Sequence, residues 1–265
     1  MANSKLRFEE CARRILQREL GCPVVLNDDG RENGLVDLCV GDVQSPLIGI
    51  ECTAALDPVR TETWNLGPGR GKLKFDLDHD WYVVIKPQTR VTELRRRLGG
   101  LLRNCETAGI ERFAQGDFVL TRQHSSISEA LASLEVDSIH AFREAGSGFV
   151  YLTMTGLGGA VDPTGSAVPN WIDDFLRHPK NADVLLKLKR SRAKESHVFI
   201  GVSFGGVPWQ VESYLGTQTD LVPITPPNLP DPLVGVWIMY GSRGVHWDGA
   251  AWKFFDATVP AVSNT

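Results

Sequence analysis

Apolar residues recur along this chain at two different spacings, which predict an alternation of helices and strands. Over residues 8–20 and 91–105 they return every three or four positions, as on the buried side of an amphipathic helix. Gly21 and Pro23 end the first of these helices. The other predicted helices span 126–136, 171–177 and 182–191. Short runs of apolar and β-branched residues predict strands at 24–26, 35–40, 47–53, 81–85, 117–121, 149–155, 197–203, 234–240, 244–247 and 252–255.

This order of elements predicts an α/β or α+β protein. In the first half, a helix, three strands, a second helical region and a further strand favour a mixed central sheet with a helix on each face. The length of 265 residues leaves one large domain or two small ones open. We take residues 1–122 as the α/β core and residues 123–265 as a C-terminal α+β region, which is either separate or packed on the same sheet.

The composition excludes several classes of protein. Apolar residues make up 42% of the chain and charged residues 23%, which is ordinary for a globular protein. No apolar run approaches the roughly 20 residues of a membrane-spanning helix, and the polar start lacks the pattern of a signal peptide. The five cysteines are odd in number and lie in apolar segments, which is typical of buried, reduced thiols. These features predict a cytoplasmic protein with no membrane partner, and they leave a homodimer open.

Two segments carry a local excess of positive charge, although the net charge of the chain is −4. Residues 86–103 hold six basic residues against one acid, and residues 177–194 hold seven against one. One interpretation is that these segments contact the phosphates of nucleic acid. The candidate contacts are then Arg95, Arg96, Lys187 and Arg190. The other, more common interpretation is that each segment is the solvated face of an amphipathic helix.

Two acidic residues lie in the second and third predicted strands. If these strands form a hairpin centred on Gln44, Asp37 and Glu51 stand directly opposite each other. Opposed residues in an antiparallel pair have Cβ atoms about 4.5–5.5 Å apart, and the alternation of side chains puts Thr53 on the same face as Glu51. Two carboxylates that close repel each other, so a proton, a basic residue or a metal ion must compensate for their charge. A divalent cation suits these hard oxygen ligands best.

With this pair of acids the chain resembles the PD-(D/E)xK nuclease superfamily, whose restriction-endonuclease-like fold has an αβββαβ core. The site of that family combines a glutamate of the first helix, an aspartate of the second strand and an E-x-K strand. The matching residues here are Glu10, Asp37 and Glu51, and the resemblance covers roughly residues 5–120. It implies a nuclease that hydrolyses DNA or RNA, with Mg²⁺ or Mn²⁺ held by Asp37 and Glu51. The whole chain also resembles bacterial proteins that carry an E-x-T strand.

The chain departs from this family at the lysine, because Thr53 stands at that position. A hydroxyl group cannot supply the positive charge that orients water and stabilises the charge developing on the phosphate. Some members are said to carry the lysine on another element, and the nearest candidates in sequence are Lys72 and Lys74, with Lys86 behind them. Without such a replacement the chain would be a catalytically inactive nuclease-fold module that binds nucleic acid or a protein partner.

A G-x-S-x-G motif gives a third hypothesis, a serine hydrolase with Ser203 as its nucleophile. Asp231 and His246 follow the serine in the chain order of the other triad members. The motif requires a helix directly after the serine, and the glycine and proline that follow it disfavour one. The spacing of the histidines and cysteines matches no zinc site.

Overall fold

The computed structural model describes residues 2–27, 35–142, 146–156, 161–217 and 221–258, with side chains from Phe8 onward. Within these residues the chain is a mixed α/β protein with eight α-helices and two mixed sheets, which confirms the α/β class. The helices are α1 (Ala2–Leu20), α2 (Pro58–Leu66), α3 (Val91–Thr107), α4 (Phe118–Gln123), α5 (Ser125–Ser133), α6 (Ala167–Arg177), α7 (Ala182–Ser191) and α8 (Trp209–Gly216). The strands are β1 (Val24–Leu26), β2 (Leu38–Asp42), β3 (Ser45–Ala55), β4 (Leu73–Lys74), β5 (Asp80–Ile85), β6 (Arg112–Ala114), β7 (Val136–Phe142), β8 (Phe149–Met154), β9 (Glu195–Val202), β10 (Leu233–Tyr240), β11 (Arg243–Trp247) and β12 (Trp252–Asp256). Short 3-10 turns lie at Pro68–Arg70 and Pro179–Asn181.

The chain divides into two compact units, and the second is inserted into the first. The first unit comprises residues 1–56 and 160–265, and the second comprises residues 57–159. The division expected from the sequence, after residue 122, falls within α4 and differs from this one. The physical reason is that β9 pairs in parallel with β3, so the chain returns to its first sheet only after completing the second unit.

The first unit contains a seven-stranded sheet in the order β1-β2-β3-β9-β10-β11-β12. The strands β1, β2 and β3 form an antiparallel meander, and β9 and β10 continue from β3 in parallel. The last two strands are antiparallel again. The fourth strand of this sheet is therefore β9, and not residues 81–85 as the sequence order implied.

Helices cover both faces of this first sheet. On one face, Ile15 and Leu16 of α1 are buried in the same cluster as Phe199 of β9. Gly201 permits this close approach, because a Cβ atom there would lie 2.6 Å from the Phe8 ring. The opposite face packs against α6, α7 and α8. Its buried strand residues include Val198, Ile200, Val236 and Ile238.

The second unit contains a five-stranded sheet in the order β4-β8-β5-β7-β6. The strand β5 lies at its centre, parallel to β8 and antiparallel to β7. One face is covered by α3 and α5, and Trp81, Leu98 and Leu131 are fully buried there. Residues 81–85 thus form a central strand, as predicted, but they belong to the second sheet, and Tyr82 is exposed instead of buried.

Local predictions in the second unit fail where side chains or turns override the apolar pattern. Residues 117–121 lie mostly in α4 and not in a strand, because the Asp117 carboxylate accepts hydrogen bonds from the first N–H groups of that helix. The helix predicted over 126–136 is the shorter α5, and its last predicted residue begins β7. In this unit the sequence pattern also missed α2, β4, β6 and β7, and in the first unit it missed α8.

The structure tests two of the exclusions drawn from the composition. Among the described residues, no helix combines the length and the apolar character that crossing a bilayer requires. All five cysteines lie in the described part of the chain and are free thiols, as predicted, but only Cys39, Cys52 and Cys105 are buried and the other two are half-buried. Burial raises the pKa of the Cys105 thiol to about 12, so this thiol is a packing group and not a nucleophile.

Glu106, at the end of α3, forms hydrogen bonds with the turn before β5 and with the start of that strand. Its removal is expected to destabilise the protein. Its carboxylate accepts hydrogen bonds from the backbone N–H groups of Asp78 (3.2 Å) and His79 (2.9 Å) and from Trp81 Nε1 (3.2 Å). Burial raises the pKa of Glu106, but these donors outweigh burial and the net shift is downward. In urea unfolding at neutral pH, we expect Glu106→Ala to cost about 2 kcal/mol.

The matched control is Glu129→Ala, at an exposed position of α5, which should leave the free energy of unfolding within about 0.5 kcal/mol. The stability that Glu106 contributes is present above its unfolded pKa and is lost as the pH falls through its lower folded pKa. Equal stability of the two variants would contradict the role given to this carboxylate.

Candidate active site

The strands β2 and β3 form the hairpin in which the two acids were predicted to face each other. Leu38 pairs with Ile50 and Val40 pairs with Ile48, which is the register centred on Gln44. The register shifts only beyond Val40, close to the turn. The predicted hairpin register is therefore confirmed, and it sets Asp37, just before β2, against Glu51 of β3.

Both acids are enclosed by the first unit. Asp37 is 0% exposed and Glu51 is 3% exposed. Asp37 Oδ2 accepts a hydrogen bond of 2.8 Å from the backbone N–H of Cys52, so the hairpin itself fixes one carboxylate oxygen. Since Ile50 and Cys52 point towards α1, Glu51 points to the opposite face of the sheet, against which α7 packs.

A lysine of α7 reaches these carboxylates. Lys187 Nζ donates a hydrogen bond of 2.6 Å to Glu51 Oε1 and lies 4.0 Å from Asp37 Oδ1. Its side chain is only 20% exposed. We refer to Asp37, Glu51 and Lys187 as the buried triad. The positive charge of Lys187 compensates for the repulsion between the two opposed, enclosed carboxylates.

The sequence predicts that Lys187 contacts phosphates from a helix surface, and in the structure its ammonium donates to Glu51 instead of projecting from that surface. The side chain lies against the sheet because Lys187 falls on the buried stripe of α7, between Val184 and Leu188. Leu186, one position earlier, is 51% exposed on the other side of the helix. The spacing could have indicated this orientation, because Lys187 is three residues after the buried Val184 and so lies on the same side of the helix.

Comparisons of the chain with protein-family models, with curated proteins and with solved structures found no match. The resemblance to the PD-(D/E)xK nucleases therefore stays a prediction, and the function of the buried triad has to follow from its own chemistry.

Glu10, the predicted helix glutamate, lies in a different environment from the buried triad. Arg13 and Arg14 of the same helix each approach its carboxylate to 2.7 Å. Their hydrogen bonds and charges hold the pKa of Glu10 at about 2, against the opposing effect of burial. The neighbouring Glu9 is only 3% exposed, because it lies three residues before Ala12 on the buried stripe of α1.

Lys72 and Lys74, the predicted replacements for the missing lysine, lie in the second unit. Lys72 Nζ is 3.5 Å from the centroid of the Phe149 ring, and Lys74 Nζ is 4.7 Å from it. Lys74 also donates to the carbonyl of Ser147. The lysine that contacts the carboxylates is Lys187, which belongs to the first unit like the acids themselves.

The remaining predicted nucleic-acid contacts lie on helix surfaces. Arg95 is half-buried on α3, and Arg96 is exposed and 3.9 Å from Glu93 of the same helix. Arg190 is exposed near the end of α7. Their roles stay predictions.

The members of the predicted serine triad are engaged separately. Ser203 Oγ donates to the carbonyl of Ala55 at 3.4 Å. Asp231 pairs with Lys189 at 3.3 Å, and His246 stacks on Trp237 with 3.3 Å between the ring centroids. A helix, α8, does follow the motif after a few residues. No observation on these residues favours a hydrolase, and we do not propose one.

A groove lies at the carboxyl end of β3, on the α6 side of the first sheet. Its volume is about 450 Å³. Ala55 forms part of its floor, Trp171 contributes an aromatic wall, and Lys180 and Asn181 contribute polar groups. Glu51 is four residues before Ala55 on the same strand, which corresponds to about 13 Å along β3.

Proposed function

We propose that this chain is a metal-dependent phosphodiesterase that acts on nucleic acid, with the buried triad as its active site. The observation that carries the proposal is the position of Lys187 Nζ, 2.6 Å from Glu51 and 4.0 Å from Asp37. The sequence lacks a lysine two residues after Glu51, and α7 supplies one to the same carboxylate. Two acids and a lysine are the residue types that the nuclease family uses at its site.

The order of elements in the first unit supports the same proposal. When the second unit is set aside, α1 is followed by β1, β2 and β3, then by the helices α6 and α7, and then by β9. This order matches the helix, three strands, helix and strand that the resemblance to the nucleases implies, with β9 in place of the strand first expected. Lys187 lies on the helix that connects β3 to β9.

The donor set of the buried triad fits Mg²⁺ or Mn²⁺. Carboxylate oxygens are the ligands these cations prefer, and Mg²⁺ needs only one or two of them because water and substrate phosphate complete its coordination. Among the described residues, no group of three or more His, Cys, Asp and Glu side chains is arranged as a metal site. In this proposal Asp37 and Glu51 would be the two protein ligands.

Each member of the buried triad then has a defined task. Asp37, fixed by the Cys52 N–H, and Glu51 would hold the cation, which polarises the phosphate and activates water. The Lys187 ammonium, positioned by Glu51, would orient the attacking water and stabilise the negative charge that develops on the phosphate. The groove beside Ala55 would hold the adjoining nucleotide against Trp171.

The test is metal binding and cleavage by Asp37→Asn. We expect calorimetric titration to show Mn²⁺ binding by the wild type that the variant lacks. We also expect the variant to cleave single- and double-stranded DNA and RNA at least about a hundredfold more slowly. Asp42→Asn is the matched control, because Asp42 is exposed on the same hairpin. Unchanged cleavage by Asp37→Asn would refute the proposal.

One observation favours the second candidate, a catalytically inactive nuclease-fold module that binds nucleic acid or a protein partner. Asp37 and Glu51 are 0% and 3% exposed, and Lys187 already neutralises part of their charge. A triad so enclosed needs no cation to balance its charge, because the lysine already pairs with the carboxylates. In that case wild type and Asp37→Asn would both fail to bind Mn²⁺, and the variant would only be less stable.

A further inference from the structure

The five-stranded sheet of the second unit has one covered face and one uncovered face. Trp81, Val83 and Ile85 of β5 point to the covered face, where they are fully buried. Tyr82, between them, points the other way and is 46% exposed. The described helices of this unit, α2 to α5, pack their apolar side chains against the first face. On the second face, Tyr82 and His140 are exposed, and the neighbouring aromatic side chains are half-buried.

Aromatic rings are concentrated on this uncovered face. Tyr82 lies beside Tyr151 of β8 and His140 of β7 in the register of the sheet. The ring centroids of Tyr82 and Phe142 are 4.2 Å apart in an edge-on contact, and those of Tyr82 and Tyr151 are 5.4 Å apart. His140 and Phe142 are also 5.4 Å apart. We call this set, together with Phe149, the aromatic face.

Basic residues lie at both edges of the aromatic face. Lys72 and Lys74 lie over the Phe149 ring at one edge. Arg112 of β6, the register partner of His140, is exposed at the other edge. With strands about 4.8 Å apart, the two edges are separated by about 19 Å, a width that a few nucleotides can occupy.

Asp80, an acid on the same face as these rings, does not cancel this positive charge at the surface. Asp80 is only 6% exposed, and its Oδ1 accepts hydrogen bonds from the backbone N–H groups of Phe149 (2.8 Å) and Ser147 (3.2 Å). The carboxylate therefore points towards these backbone N–H groups and not towards solvent. The aromatic face combines apolar rings with cations at its margins, which is complementary to a flexible polyanion that carries flat groups.

We propose that the aromatic face binds single-stranded nucleic acid. Unpaired bases would stack on Tyr82 and its neighbouring rings, since every base has a π-face and such stacking is tolerant of sequence. The phosphates between these bases would contact Lys72, Lys74 and Arg112. A duplex is excluded from this mode of binding because its bases are already stacked on one another.

The proposal is tested by fluorescence anisotropy with a labelled oligothymidylate of about 12 nucleotides, at about 50 mM salt and with EDTA present. We expect the wild type to bind the oligonucleotide. Tyr82→Ala should weaken binding about tenfold, whereas Tyr82→Phe, which keeps the ring, should stay within about twofold of the wild type. Phe118→Ala is the matched control, because Phe118 is 88% exposed on α4 and should have no effect.

The basic edges give a second readout. Lys74→Ala and Arg112→Ala should each reduce the slope of log affinity against log salt by about one. Absence of wild-type binding, equal binding by Tyr82→Ala, or equally tight binding of a blunt duplex would overturn the proposal. EDTA prevents metal-dependent cleavage, so the outcome does not depend on whether the buried triad hydrolyses phosphodiesters.

Discussion

Replacing Lys187 with methionine is expected to lower the free energy of unfolding by about 3–5 kcal/mol. Methionine keeps the length of the side chain but removes the charge beside Glu51 and Asp37. Both carboxylates then remain enclosed without the Lys187 ammonium. A buried carboxylate that has lost its positively charged partner destabilises the folded state. Urea unfolding at neutral pH, followed by circular dichroism, measures this loss.

Lys189→Met is the matched control, two positions further along the same helix. Lys189 pairs with Asp231 at 3.3 Å, but the two side chains are 52% and 87% exposed. An ion pair in such contact with water contributes about 0–1 kcal/mol, so the control should lose little stability. If Lys187→Met cost no more than Lys189→Met, the triad would not be a desolvated charge cluster.

Two further variants separate the contribution of Lys187 to the fold from its contribution to catalysis. The double variant Lys187→Met/Glu51→Met should be more stable than Lys187→Met alone, because it removes one of the two uncompensated carboxylates. Lys187→Arg keeps the positive charge but changes its shape and position. We expect this variant to remain folded and to lose cleavage. Full cleavage by Lys187→Arg would show that charge alone, and not the position of Nζ, is required.

Much of the first unit was predictable because its signals are local. The hairpin of β2 and β3 has a short turn, so the symmetric placement of Asp37 and Glu51 about Gln44 was enough to predict that they face each other. The apolar stripe of α1 was equally clear. Its phase, counted from the buried Ala12, places Glu9 on the buried side of the helix, and Glu9 is 3% exposed.

The parts that could not be predicted depend on pairing between distant residues. Glu51 of β3 is the register partner of Val198 of β9, with the whole second unit between them. The sequence of a continuous apolar strand does not indicate which strand it pairs with. The strands β5 and β9 were therefore equivalent candidates for the fourth strand of the first sheet. The same separation explains why position along the chain favours Lys72 over Lys187 as the partner of Glu51. Proximity in the chain does not indicate proximity in the sheet when a strand pairs with one that lies 147 residues further along the chain.

The protein is also expected to lose stability steeply as the pH falls below about 6.5, the pKa of an unperturbed histidine. His246 stacks on Trp237 and is 8% exposed, and Trp237 Nε1 donates to His197 at 3.3 Å. Burial, followed by the repulsion of a charged His197, lowers the pKa of His246 to about 3, while Asp248 opposes this shift. Burial also lowers the pKa of His197, against the opposing effect of Glu195.

The sign of the effect follows from these directions. Below about pH 6.5 the unfolded chain binds protons that the folded histidines do not accept, so protonation favours unfolding. For His246 alone, this linkage removes about 4 kcal/mol between pH 6.5 and about pH 3. Urea unfolding across this range should show the loss. His246→Phe keeps a flat ring against Trp237 and should flatten the dependence, whereas His178→Phe, at an exposed position, should leave it unchanged.

His246→Phe also tests whether the histidine is retained for packing. Among the described residues, its Nε2 is buried without a hydrogen-bond partner, so a phenyl ring removes an unsatisfied polar atom. At pH 7 the variant should therefore be as stable as the wild type or more stable. A large loss of stability at pH 7 would mean that His246 makes a polar interaction that its stacking on Trp237 does not explain, and the pH dependence would then need another origin.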